Sequence, residues 1–75
     1  MTWLDIEDIA DALLQAHPQA DPLAVRFLQL KQWTLELPGF TGTPEDCNER
    51  KLEAIQMAWH EARTEQKQDD GEQDD

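Results

Sequence analysis

Apolar side chains recur at helical spacing in several stretches of this chain, and they nowhere alternate with polar ones for more than a few residues. Ile6, Ile9, Ala10, Leu13 and Leu14 form a first stripe. Trp3-Leu4-Asp5 leads into it, with Asp5 as N-cap, Asp8 three residues on, and Leu4 placed to staple onto the first turns. His17-Pro18 ends that helix, because proline disfavours helical geometry in the residue before it. Asp21-Pro22 is a second cap-plus-proline pair and predicts a short helix through about Val25. Gln29 to Leu37 reads as a third helix, with Leu30, Trp33, Thr34 and Leu37 on one side. Pro38-Gly39 stops it, and Phe40 is expected to reach the core from the following loop. The last helix opens at Thr43 as N-cap, with Pro44 in the first position and Asp46 three residues after the cap. Glu45, Asp46 and Glu49 suit the positive end of its dipole, and Arg63 falls in its last turn. Leu52, Ile55, Trp59 and Ala62, with Ala58 beside them, give this long helix one stripe to bury. The rest of the chain supplies what that stripe lies against. The pattern predicts an all-α domain over residues 1–65, a compact array of three or four helices.

Composition changes the picture at the C-terminus and at the surface. From Gln66 the chain reads Gln-Lys-Gln-Asp-Asp-Gly-Glu-Gln-Asp-Asp, with no apolar residue to bury, so 66–75 is expected to be a disordered acidic tail. At 75 residues the remainder is one small domain, burying only roughly 60% of the surface its unfolded chain exposes. The net charge is −11 and the isoelectric point about 4.3. Such a surface repels nucleic acid and anionic lipid and favours basic protein surfaces or cations. No apolar run approaches the roughly 20 residues of a membrane span, and the start does not read as a signal peptide. One cysteine makes no internal disulfide, in keeping with a reducing compartment, and a cytoplasmic monomer is expected.

The candidate chemistry narrows further. His60-Glu61-Ala62-Arg63-Thr64 is half of a zinc-protease motif, but Thr64 stands where the second histidine must reach the same ion. His60 therefore reads as a solvated helix residue. Cys47 has no second cysteine and no nearby histidine. A helix start would lower its pKa, Asp46 and Glu49 oppose that, and it reads as a structural thiol. The chain has no serine, and its three glycines make no phosphate loop, so no enzyme is expected. A helix-turn-helix reading is permitted by three packed helices but not by charge: Gln29 to Leu37 offers Lys31 against Glu36 where a phosphate backbone demands cations. The outer face of the first helix is different. Glu7 and Asp11 are neighbours at i, i+4, as are Asp8 and Asp11 at i, i+3, and each such like-charge pair costs the helix roughly 0.2–0.5 kcal/mol. A basic partner or a hard cation relieves that repulsion; the plainer reading is a solvated face.

With these residues in view, the chain resembles the IscX family of bacterial iron–sulfur cluster assembly accessory proteins. The resemblance runs from Trp3 to about Arg63. It rests on Trp3-Leu4-Asp5, Asp21-Pro22 followed by Val25-Arg26-Phe27, Gln32-Trp33, Phe40, and Pro44 with Asn48-Glu49, Leu52-Glu53-Ala54-Ile55 and Trp59. It implies a small winged-helix-like fold with a reduced wing, and docking on the cysteine desulfurase of the assembly pathway through an acidic surface. It also implies weak binding of Fe2+ through exposed carboxylates, with no tightly held cofactor, and overlap with the bacterial frataxin. The family pattern carries a run of aspartates between the positions of Phe40 and Pro44, where this chain has Thr41-Gly42-Thr43. Glu45 and Asp46, or the cluster Glu7, Asp8 and Asp11, are then the candidate iron ligands. The same five carboxylates with Glu49 are the candidate partner surface. Readings from other classes are an acidic mimic of nucleic acid that sequesters a basic regulator, and a metal buffer with no protein partner.

Overall fold

The computed structural model describes residues 1–71, with side-chain surroundings for 1–65. Three α-helices, α1 (Ile6–Ala16), α2 (Phe27–Leu35) and α3 (Glu49–Gly71), are joined by turns, with one 3-10 turn at Pro44–Asp46. There is no strand among the described residues, so the all-α expectation holds. The segment between α2 and α3, where a wing would fall, contains the 3-10 turn. The last four residues of the expected acidic tail, 72–75, lie outside the described residues, and the α3 backbone runs past residue 66 to Gly71 without a break.

α1 forms where its stripe requires, with Ile9, Ala10, Leu13 and Leu14 buried and His17 capping its end through an N–H bond to the Leu13 carbonyl at 2.8 Å. Its start differs from the expectation. Asp5 stands at the N-cap but makes no side-chain cap bond; its Oδ2 accepts from the Thr2 N–H at 2.8 Å instead. Leu4 is 79% exposed and staples nothing, while Trp3, 2% exposed, turns into the core.

The short helix expected at Asp21-Pro22 is a turn. The Asp21 carboxylate accepts from the Leu23 N–H at 3.1 Å and its carbonyl from the Ala24 N–H at 2.9 Å. A short acidic side chain offers the backbone this alternative to a helix. Pro22 is buried, and its carbonyl accepts from the Gln56 side chain at 2.9 Å, which fastens the turn to α3. α2 starts and ends two residues earlier than its pattern suggested. It presents Leu30 and Thr34 inward, and Leu37 packs inward just after the helix. Thr34 is fully buried yet satisfied, its hydroxyl donating to the Leu30 carbonyl at 2.9 Å.

The largest correction falls at the last helix. Pro44 starts only the 3-10 turn; Cys47 is extended, and α3 begins anew at Glu49. The cap is Asn48, whose Oδ1 accepts from the Lys51 N–H at 2.8 Å. Thr43 makes no side-chain cap bond; its carbonyl accepts from the Asp46 N–H at 3.2 Å, closing the 3-10 turn, and from Trp3 Nε1 at 2.6 Å.

The core is built on the stripe of α3. Ile55 and Trp59 are fully buried and lie with Ile9 and Leu13 of α1, Leu30 of α2 and Trp3 in one cluster. α1 makes most of the packing against α3, and α2 less. Trp33 meets Trp59 edge-on with ring centres 6.2 Å apart, and His17 stacks flat on Trp33 at 3.8 Å. A second seam ties the N-terminus to the loop after α2. Met1 accepts through its carbonyl from the Thr41 N–H at 2.7 Å, and its ammonium donates to the Gly39 carbonyl at 2.9 Å. Beside them Phe40 packs edge-on to Trp3 at 4.9 Å, reaching the core from the loop as expected.

Candidate acidic docking face

Burying Ile9, Ala10 and Leu13 against α3 turns Glu7, Asp8 and Asp11 to solvent, and all three are exposed. Ile9 and Leu13 of α1 share the core with Ile55 and Trp59 of α3, and above that seam the surface is lined by small residues, Ala10 on one helix and Ala58 and Ala62 on the other. Small side chains draw helices together and leave a shallow groove above the seam. That groove has a volume of about 210 Å³ and is walled by four carboxylates, Glu7 and Asp11 from α1 and Glu61 and Glu65 from α3. Asp8 faces a neighbouring depression at the start of α1, beside Leu4 and Glu7.

The structure divides the six residues that the sequence offered. Glu7 and Asp11 share the groove, with Asp8 beside it. Glu45 and Asp46 sit exposed on the 3-10 turn and Glu49 on the first turn of α3, and none of these three lines the groove. At 1.5 Å per residue, Glu49 is about 18 Å from Glu61 along the axis of α3. The acidic surface is therefore two patches. Among the described residues no three His, Cys, Asp or Glu side chains are grouped so as to hold a metal ion.

Glu61 and Glu65 are the residues that sequence reasoning missed. Their signal was present: acids at i, i+4, flanking Ala58 and Ala62 on the buried side of the same helix. His60-Glu61 was read only against a zinc motif. His60 itself is half-buried, its Nδ1 enclosed with no hydrogen-bond partner, and so is less solvated than expected.

Cys47 lies between the 3-10 turn and α3 and is half-buried. Burial pushes its thiol above the ordinary range, while Lys31 and Lys51 pull the other way. Desolvation by burial outweighs the lowering expected from a helix start.

Geometry thus defines a small helical domain with a carboxylate-walled groove between α1 and α3. Residues 1–64 match the model of the family described as iron-sulphur cluster assembly. The chain belongs to that family, and membership points to a role in iron–sulfur cluster assembly. A protein of Pseudomonas aeruginosa, described as uncharacterized, is 43% identical over 63 residues, spanning 84% of this chain and 96% of the relative. No helix among the described residues is long and apolar enough to cross a membrane.

Proposed function

We propose that this chain is an IscX-type accessory protein that docks on the cysteine desulfurase of the iron–sulfur pathway through its acidic face and tunes sulfur delivery without catalysing a reaction. The family match over residues 1–64 carries this reading. The net charge of −11 and the four-carboxylate groove give it a physical means. Glu7, Asp8 and Asp11 with Glu61 and Glu65 form the main docking patch in this proposal, and Glu45, Asp46 and Glu49 the second. A basic partner surface relieves the repulsion within each patch. Charges of this kind act through steering and complementarity as much as through contact energy.

Iron stands second in the proposal. Fe2+ is a borderline cation that accepts carboxylate oxygen without preferring it, and exposed carboxylates with no third ligand grouped beside them would hold it weakly. The resulting ion would compete with the desulfurase for Glu7 and Asp11 rather than serve as a resident cofactor. Competition with the bacterial frataxin follows if both proteins seek the same basic surface.

Calorimetric titration of the purified desulfurase with this protein over a salt series tests the proposal. Affinity should fall severalfold or more as ionic strength rises from roughly 0.05 to 0.3 M, because the Debye length shortens below the span of the patches. Binding that ignores salt, or none at low salt, would count against it.

A further inference from the structure

Four large apolar side chains stand at the surface: Leu4 is 79% exposed, Leu28 78%, Leu23 55% and Met57 49%. Single leucines at a surface are ordinary, so exposure alone assigns none of them a role. Leu4 is set apart by how it is mounted. It occupies the third position of a turn that closes from the Asp5 N–H to the Thr2 carbonyl at 3.0 Å. Its own N–H donates to the Thr2 hydroxyl at 3.3 Å, and the Asp5 carboxylate accepts from the Thr2 N–H at 2.8 Å. Just before it Trp3 is locked in the core, with Nε1 bonded to the Thr43 carbonyl, and just after it α1 begins. Backbone fixed in this way is ordered before any partner arrives, which lowers the entropic cost of covering the side chain.

The surroundings of Leu4 select the partner. Leu4 and the half-buried Ile6 line one hollow with Asp5, Glu7 and Asp8, and this hollow adjoins the α1–α3 groove at Glu7, which lines both. No Lys, Arg or His lines either hollow. The nearest cation in sequence, the Met1 ammonium, is turned to the Gly39 carbonyl at 2.9 Å.

We propose that Leu4 is the apolar anchor of the acidic docking face, inserting into an apolar pocket that lysine and arginine rim on the partner. The inference rests on the desulfurase reading above and adds to it the residue that holds the complex together. An apolar centre inside a polar rim is how interfaces concentrate binding energy. A second copy of this chain is a poor occupant, because a symmetric contact would set the same acids against one another. The two kinds of side chain then divide the work. Glu7 and Asp8 speed approach in a salt-dependent way, and Leu4 slows departure at any salt concentration.

The test measures association and dissociation rates of the full-length protein on purified cysteine desulfurase at roughly 0.05 and 0.3 M salt. Leu4→Ala should weaken binding at least tenfold at both concentrations, almost wholly through faster dissociation. Leu4→Met should recover most of that loss. Leu28→Ala, an equally exposed leucine on α2, should leave both rates unchanged, and Glu7→Lys/Asp11→Lys should instead slow association and flatten the salt dependence. Leu4 lies outside the buried core, and an unchanged circular dichroism melt confirms that each variant folds. If the parent binds and Leu4→Ala matches it, or Leu28→Ala weakens it as much, the anchor is overturned while the desulfurase reading stands. If the parent itself fails to bind at low salt, that reading fails and the anchor falls with it. Sedimentation showing that Leu4→Ala abolishes self-association would also overturn the proposal, since the occupant would then be a second copy.

Discussion

Gly42 is a glycine for lack of space. A Cβ placed there would come within 2.7 Å of Trp3 and 2.8 Å of Phe40, the two rings that close the N-terminal seam. Its backbone is not left-handed, unlike that of Gly39 with φ of 80°. Gly42→Ala should therefore destabilise the fold by about 1–3 kcal/mol, the ordinary range for overpacking. Phe40→Leu in the same chain should recover part of that loss, because adjacent substitutions couple. Urea midpoints of the two variants check both statements, and a Gly42→Ala protein as stable as the parent would contradict the packing. In the sequence, Thr41-Gly42-Thr43 was legible only as a place where acids are missing; nothing local showed that a tryptophan 39 positions earlier lies against it. Cys47 makes a second statement at this scale. Burial holds its proton on, so iodoacetamide alkylation should reach half-maximal rate at higher pH than in an unstructured peptide with the same flanking residues. Lys31→Gln should move the midpoint higher still, since it removes one of the two cations that favour the thiolate. A midpoint below that of the peptide would show an exposed, activated thiol instead.

Elements were read best where the apolar stripe alone decides them. The buried faces of α1 and α3 follow the periodicity from Ile9 to Leu14 and from Leu52 to Trp59, and these stripes meet in the core. Ends were read less well, because each depends on which of several polar side chains wins a backbone N–H. Thr43-Pro44 and Asn48 are two start signals five residues apart; the first yields only the 3-10 turn, and the second caps α3. Asp21-Pro22 is likewise a start signal whose carboxylate closes a turn in place of a helix. Thermal or chemical melts can separate the competing starts. Asn48→Ala should cost about 1 kcal/mol, the usual loss for an N-cap, whereas Thr43→Ala should change stability by less than about half that amount, its side chain making no cap bond. The reverse order of losses would restore Pro44 as the true beginning of the helix. The candidate site was half legible for the same kind of reason. Glu7 and Asp11 declare themselves by spacing within one helix, but Glu61 and Glu65 join them only through the packing of α1 against α3, which is tertiary.

As a whole molecule, the domain holds its charge in a definite order. Carboxylates gather on the α1–α3 seam and at the start of α3, while α2 carries one cation, Lys31, and no acid within its bounds. The proposed docking on the desulfurase acts through where these charges sit as well as through how many there are. In that proposal the seam, and not acidity in general, meets the desulfurase. The direct test compares two triple charge reversals of equal charge change in a desulfurase binding titration: Glu7→Lys/Asp11→Lys/Glu61→Lys on the seam, and Glu45→Lys/Asp46→Lys/Glu49→Lys at the start of α3. All six positions are exposed, so both variants should retain the fold. The seam variant should lose at least tenfold more affinity than the other at low salt. Equal losses would mean that net charge alone drives docking, and a larger loss in the second variant would place the interface at the 3-10 turn and rule out the seam.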